Sequence, residues 1–164
     1  MKILGIDPGL TKTGWGIISS DKNNLAFLAS GTIHTDTSKS LSERLRFLHE
    51  NLLQIIKDYQ PDEAAVEEVF VNKNPISSLK LGHARGAAML SLALMNLKIY
   101  EYSTTSIKKT VVGVGRADKN QIQVMVKYLL PKATFKTEDA ADALAVAICH
   151  TNQRGFKSII QKSK

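Results

Sequence analysis

Four carboxylates stand where a solvated acid would not be expected. Asp7 closes the apolar run Lys2 to Asp7, in which Ile3, Leu4 and Ile6 fall on both faces, as in a central strand covered on each side. Glu67, with Glu68 beside it, interrupts a second apolar run from Ala64 to Val69. Asp139 and Asp142 lie three apart in a segment otherwise made of Ala, Leu, Val and Ile, so on a helix both project from one apolar face. Burying several carboxylates together costs on the order of several kcal/mol for each, with like-charge repulsion added, unless a cation neutralises them. The available ligands are oxygens, with no Cys cluster and no His at zinc spacing, which selects a hard ion, Mg²⁺ or Mn²⁺.

Each signal also has a plainer reading. Asp139 alone suits the first turn of a helix, where the dipole favours an acid. Asp142 sits a turn further in, inside Ala140-Ala141-Asp142-Ala143-Leu144-Ala145, with no neighbouring charge to pair with. Strand alternation sends Glu67 and Glu68 to opposite faces, so only one of them can join Asp7, and the residues alone leave the choice open. The turn Gly5-Ile6-Asp7-Pro8-Gly9-Leu10-Thr11 resembles the first phosphate-binding turn of actin-like ATPases and sugar kinases. Those proteins close two such domains around a nucleotide, usually in far longer chains, and no second Asp-x-Gly turn follows here. What remains is a carboxylate at the end of the first strand of an RNase H-like sheet.

The elements that must position these acids follow from periodicity. Lys2 to Asp7, Thr13 to Ser20 and Leu25 to His34 read as a three-strand meander, with Lys22-Asn23-Asn24 as a hairpin turn. From Ser40 the period becomes helical, with Leu41, Leu45, Leu48, Leu52, Ile55 and Ile56 on one stripe, opened by a Ser40–Glu43 capping box and ended by Tyr59-Gln60-Pro61. Ala64 to Val69 is a strand, and Asn74-Pro75 starts a helix rich in Ala, Leu and Met that runs to about Asn96. Ile99 to Tyr102 is a short strand, Thr105 to Val112 a helix, and Asp118 with Gln121 opens another that ends near Leu130. Thr137 caps the last helix, from Glu138 to about His150, leaving a basic, frayed tail from Arg154 to Lys164.

Length and composition fit one compact α/β domain: 164 residues, 43% hydrophobic, with no repeat, linker or low-complexity tract. The excess of 22 Lys and Arg over 15 Asp and Glu gives a net charge of +7, which favours a polyanionic partner such as nucleic acid. The single Cys149 excludes an internal disulfide, reads as a small buried hydrophobe, and fits a reducing, cytoplasmic setting. No apolar run approaches the ~18 residues that span a bilayer, and the amino end meets Asp7 too early for a secretory segment.

Strand Asp, strand Glu and a late helix with an Asp pair, in that order, resemble the RuvC-type Holliday-junction resolvases of bacteria. The resemblance covers roughly residues 2 to 150 and rests on five blocks. They are Ile3-Leu4-Gly5-Ile6-Asp7-Pro8-Gly9, Val66-Glu67-Glu68-Val69-Phe70, Leu79-Lys80-Leu81-Gly82-His83-Ala84-Arg85-Gly86, Lys108-Lys109-Thr110-Val111-Val112-Gly113 and Asp139-Ala140-Ala141-Asp142-Ala143-Leu144-Ala145. The family places its glutamate three residues before the phenylalanine, which selects Glu67. His83 departs from the pattern, where Gln is expected.

The resemblance implies an RNase H-like α/β fold, a mixed five-stranded sheet flanked by helices, over residues 1–153. It implies that Asp7, Glu67, Asp139 and Asp142 hold two Mg²⁺ ions, with Mn²⁺ an alternative, for phosphodiester hydrolysis that leaves a 5′ phosphate. Lys119, supported by Lys108, takes the position from which the family offsets charge at the scissile phosphate. Phe70 takes the place of a residue that stacks on an unpaired base, whereas as an arbitrary phenylalanine it would be core. Lys80 and Arg85 face DNA or a second subunit, or are ordinary solvated charges. The implied substrate is four-way junction DNA, cut at symmetric points by a homodimer, with a branch-migration helicase complex as partner. Two rival readings are a junction-binding protein with a degenerate nuclease site, against which all four acids stand, and an RNase H-like nuclease acting on RNA–DNA hybrid.

Overall fold

The computed structural model describes residues 1–21, 24–68 and 74–162, with side chains of the last helix described to Arg154. Strands β1 (Lys2–Asp7), β2 (Lys12–Asp21) and β3 (Asn24–His34) form the antiparallel meander, and β4 (Glu63–Glu68) and β5 (Lys98–Ser103) add in parallel. The sheet order is β3-β2-β1-β4-β5, so β1 is central and its carboxyl end adjoins that of β4. The expected turn at Lys22-Asn23 lies outside the described residues.

Helix α1 (Leu41–Tyr59) starts at the Ser40–Glu43 capping box and buries Leu48, Leu52 and Ile56, while Leu41, at the start of the predicted stripe, stays 40% exposed. Helix α2 (Pro75–Leu94) is capped by the Asn74 side chain, with Pro75 in the first turn. The short helices α3 (Thr104–Val112) and α4 (Lys119–Leu129) follow β5. Helix α5 (Glu138–Lys162) begins where Thr137 Oγ1 accepts a hydrogen bond from the Ala140 amide.

The last helix runs past the end expected near His150: α5 continues to Lys162. Just past His150, Arg154 donates from Nε and Nη2 to Glu63 at 2.8 and 3.0 Å, holding this part of the helix against the start of β4.

Two cores sandwich the sheet, and alternation along the strands assigns each residue to one of them. Leu4 and Ile6 of β1 with Ala64 and Val66 of β4 pack under α1 and α2. Ile3 and Ala65 pack on the opposite face with Tyr100, Tyr102 and the apolar residues of α3, α4 and α5. Asp7 and Glu67 continue the second series, which directs both towards α5.

Candidate active site

The approach of α5 to the sheet depends on three glycines. A Cβ on Gly5 would lie 2.1 Å from the Ala143 carbonyl oxygen, one on Gly14 would lie 1.9 Å from that of Asp139, and one on Gly16 would press into Leu144 at 2.7 Å. Backbone therefore lies against backbone where β1 and β2 cross α5, and the helix partners at that contact are small: Ala140, Ala141, Ala143 and Ala147 are all buried. The close approach lowers the first two turns of α5 onto the carboxyl end of β1, in which Asp7 pairs with Gly14.

The acids meet there. Asp7, Glu67 and Asp142 line one cleft of about 250 Å³ together with Thr104, Lys108 and Lys119. Asp139 stands one turn earlier on α5, outside that lining, but close enough for its charge to act on Asp7 and Asp142. Burial raises the Asp7 carboxyl to about 8, reinforced by the negative charges of Glu67, Asp142 and Asp139 and by a hydrogen bond with Glu67. Burial also raises Asp142 to about 6: Lys119 opposes the rise, and Glu67, Asp139 and Glu138 add to it. The site thus resists carrying its full negative charge, as expected of desolvated carboxylates with too little cationic compensation.

The oxygen-only donor set suits a hard divalent cation. Among the described residues no three His, Cys, Asp or Glu side chains are gathered closely enough to hold a metal ion as they stand; Asp7, Glu67 and Asp142 form the acidic rim of the cleft. Lys119 borders that rim: its ammonium, 70% exposed, donates to Glu138 at 3.0 Å and is raised first by that hydrogen bond and also by the charges of Asp142 and Asp139. Lys108 lines the cleft from α3.

The other predicted contacts fall elsewhere. Lys80 is exposed on α2, away from the cleft. Arg85 is tied to Glu101 of β5 by an ion pair, a contact internal to the fold, and it too lies outside the cleft lining. Phe70 lies outside the described residues. Sequence reasoning missed Thr104, whose hydroxyl donates to Glu67 at 2.5 Å, and Glu138 as the partner of Lys119. The signal for the glycine contact was present in Gly14-Trp15-Gly16, where glycines inside a strand mark close backbone approach.

A family model, crossover junction endodeoxyribonuclease RuvC, matches residues 3–150. The chain belongs to the RuvC crossover junction endodeoxyribonuclease family. The RuvC of Agrobacterium fabrum is 54% identical over 155 residues, covering 94% of this chain and 91% of the relative. That of Rhizobium johnstonii is 54% identical over 161 residues, covering 98% and 95%. Thermus thermophilus RuvC in complex with Holliday junction substrate superposes with a TM-score of 0.87 at 28% identity, covering 94% of this chain and 96% of that one. The yeast mitochondrial Holliday junction resolvase Ydc2, at 12% identity and a TM-score of 0.62, shares the fold. The expected RNase H-like architecture is thus the RuvC architecture. Among the described residues no helix is long and apolar enough to cross a membrane.

Proposed function

We propose that the chain is a metal-dependent endonuclease that resolves four-way (Holliday) DNA junctions in recombination and repair, cutting two strands at symmetric points. The observation that carries the reading is the cleft in which Asp7, Glu67 and Asp142 meet Lys108 and Lys119. An all-oxygen set of mutually repelling acids beside two ammonium groups suits a reaction in which divalent cations and a phosphodiester share one site. Asp7, Glu67, Asp139 and Asp142 are the residues that would hold two Mg²⁺ ions, or Mn²⁺. Such ions supply Lewis acidity towards an attacking water and towards the leaving 3′ oxygen, so that a 5′ phosphate remains.

The remaining work belongs to the chain. Thr104 fixes one oxygen of Glu67 and so the direction of the other. Burial, reinforced by the charges of Glu67, Asp142 and Asp139, raises the Asp7 carboxyl, and a cation held there would favour its ionised form. Lys119, exposed and held among the described residues by Glu138 alone, can turn to a phosphate oxygen as charge develops there, with Lys108 in support. Phe70 retains its proposed role of stacking on an unpaired base, and Lys80, exposed on α2, serves the DNA-facing or the dimer-facing surface.

One active site per chain cuts one strand, and paired cuts call for a twofold homodimer. The exposed face of α2 suits that seam: Ile76, Leu79, Leu90 and Leu94 are 58–66% exposed, and Gly82 and Gly86 leave open space between them for a neighbouring helix. A chromosomal substrate puts the enzyme in the cytoplasm, where a branch-migration helicase complex is its natural partner. The test is incubation with a synthetic four-way junction, a matched linear duplex and an RNA–DNA hybrid, in Mg²⁺ or EDTA. The junction is cut into paired, ligatable nicks only with metal. Equal cutting of duplex or hybrid removes structure selectivity, and cutting in EDTA removes the metal site.

A further inference from the structure

The turn that leaves Asp7 is clamped from outside the sheet. Between β1 and β2 the chain runs Pro8-Gly9-Leu10-Thr11, and its carbonyl and hydroxyl oxygens are gripped by two other elements. Arg44, in the first turn of α1, donates from Nη2 to the Leu10 carbonyl at 3.3 Å and to Thr11 Oγ1 at 3.1 Å, and from Nε to Thr35 Oγ1 at 3.0 Å. Thr35 in turn donates its hydroxyl to the Leu10 carbonyl at 2.5 Å and its amide to the Thr11 carbonyl at 3.1 Å. Thr13 Oγ1 closes the other side on the Gly9 carbonyl at 2.6 Å. Thr35 and Thr13 are buried, at 6% and 1% exposure.

Arg44 makes no ion pair among the described residues, so its guanidinium donors go to neutral oxygens of the turn and of Thr35. A fork of donors fixed in one plane suits that task, and the Ser40–Glu43 capping box fixes the helix start from which the fork reaches out. The clamp ends three residues from Asp7, which shares the cleft with Glu67 and Asp142. A loosened turn would let the end of β1, and Asp7 with it, shift relative to Glu67 and Asp142, which stand on β4 and α5.

We infer that Arg44 is a positioning residue, which holds the Leu10–Thr11 turn together with Thr35 and thereby fixes Asp7 in the cleft. The inference rests on the reading of Asp7 as an active-site acid. Arg44 also borders a cleft of about 410 Å³ beside His34 and Lys39, so direct contact with a DNA phosphate is the competing role.

The experiment measures single-turnover junction cleavage in Mg²⁺, and junction affinity across a salt series in Ca²⁺, for wild type, Arg44→Ala, Arg44→Lys, Thr35→Val and Arg44→Ala/Thr35→Val, at a temperature where each is folded by circular dichroism. Arg44→Ala is expected to slow cleavage by about 10-fold or more, since a misplacement of about 1 Å can cost roughly 10²-fold. Affinity and its salt slope stay unchanged, Arg44→Lys recovers part of the rate, and the double variant is no slower than the worse single one. Ile56→Val, in the core at the far end of α1, is the control that lowers the melting temperature without slowing cleavage. A wild-type rate in Arg44→Ala overturns the inference, as does weaker binding with a shallower salt slope at an unchanged rate. If Arg44→Ala does not fold, Thr35→Val and Arg44→Lys decide by the same two readings. Failure of the wild type itself to cut the junction would instead overturn the proposed function.

Discussion

Which face of the sheet a carboxylate occupies decides whether it can serve the cleft. Ala65 packs on the α5 side and Val66 on the α1 side, so Glu67 continues the first series and Glu68 the second. Glu67→Gln is therefore expected to abolish junction cleavage, by more than the roughly 10–100-fold typical of a group that only supports a metal ligand. Glu68→Gln is expected to leave the rate nearly unchanged, and junction binding to survive both. Gel-based cleavage beside a binding titration checks this, and the reverse ranking would mean the strand register is off by one. The acids themselves were legible in the sequence because an unpaired charge inside an apolar string violates the cost of burial. Thr104 and Glu138 were not, because a threonine after a strand and a glutamate in a first helical turn are ordinary capping residues until the fold brings Glu67 and Lys119 to them.

Among the elements, α5 carries the greatest functional load, and two contacts set its place. At its start, Gly14 leaves room for the Asp139 carbonyl; a methyl group would meet that oxygen at 1.9 Å, and neither backbone can give without moving the helix. Gly14→Ala is expected to cost about 1–3 kcal/mol or more in stability and to lower cleavage sharply, because Asp139 and Asp142 move with the helix. Denaturant melts beside cleavage rates test it. Further along α5, the buried Glu63 accepts from Arg154 and from the buried His150, which Tyr102 also contacts at 2.8 Å. Burial alone would raise Glu63, but the hydrogen bonds from Arg154 and His150 outweigh it and hold the carboxyl below its ordinary value of 4.5. The unfolded chain therefore binds more protons at this site, so the network's stabilisation is complete above pH 4.5 and is lost as pH falls through the lower native value. Glu63→Gln should lower stability at neutral pH by about 2 kcal/mol, less than the range of about 3–5 for a fully buried pair because Arg154 is 46% exposed, and should flatten the acid limb of melting temperature against pH. Helix starts were legible from Ser40 with Glu43, Asn74 with Pro75, and Asp118 with Gln121, whose caps are local. The end of α5 was not: apolar spacing stops near His150, and the pairing that holds the helix just past it joins residues 91 apart in the chain.

For the molecule as a whole, the net charge of +7 and the acid cleft act on DNA in opposite senses. If Lys and Arg outside the cleft supply affinity through counterion release, junction binding should fall about 10³–10⁵-fold between roughly 50 and 200 mM salt for about 6–10 contacted phosphates. Lys119→Ala should cost more in rate than in affinity, because the charge it is proposed to meet is greatest in the transition state; a salt series in Ca²⁺ set against rates in Mg²⁺ separates the two. The order Asp, Glu, Asp-x-x-Asp already pointed to the RNase H-like sheet. The lowering of α5 onto three glycines, which brings Asp142 into one cleft with Asp7 and Glu67, took definite form only in the packing. The most direct test of that account is single-turnover cleavage of a synthetic four-way junction in Mg²⁺ by wild type and Asp142→Asn, with junction affinity measured in Ca²⁺. The account predicts paired, ligatable nicks from the wild type, and from Asp142→Asn an intact junction bound as tightly or more tightly; cutting by Asp142→Asn at the wild-type rate would contradict it.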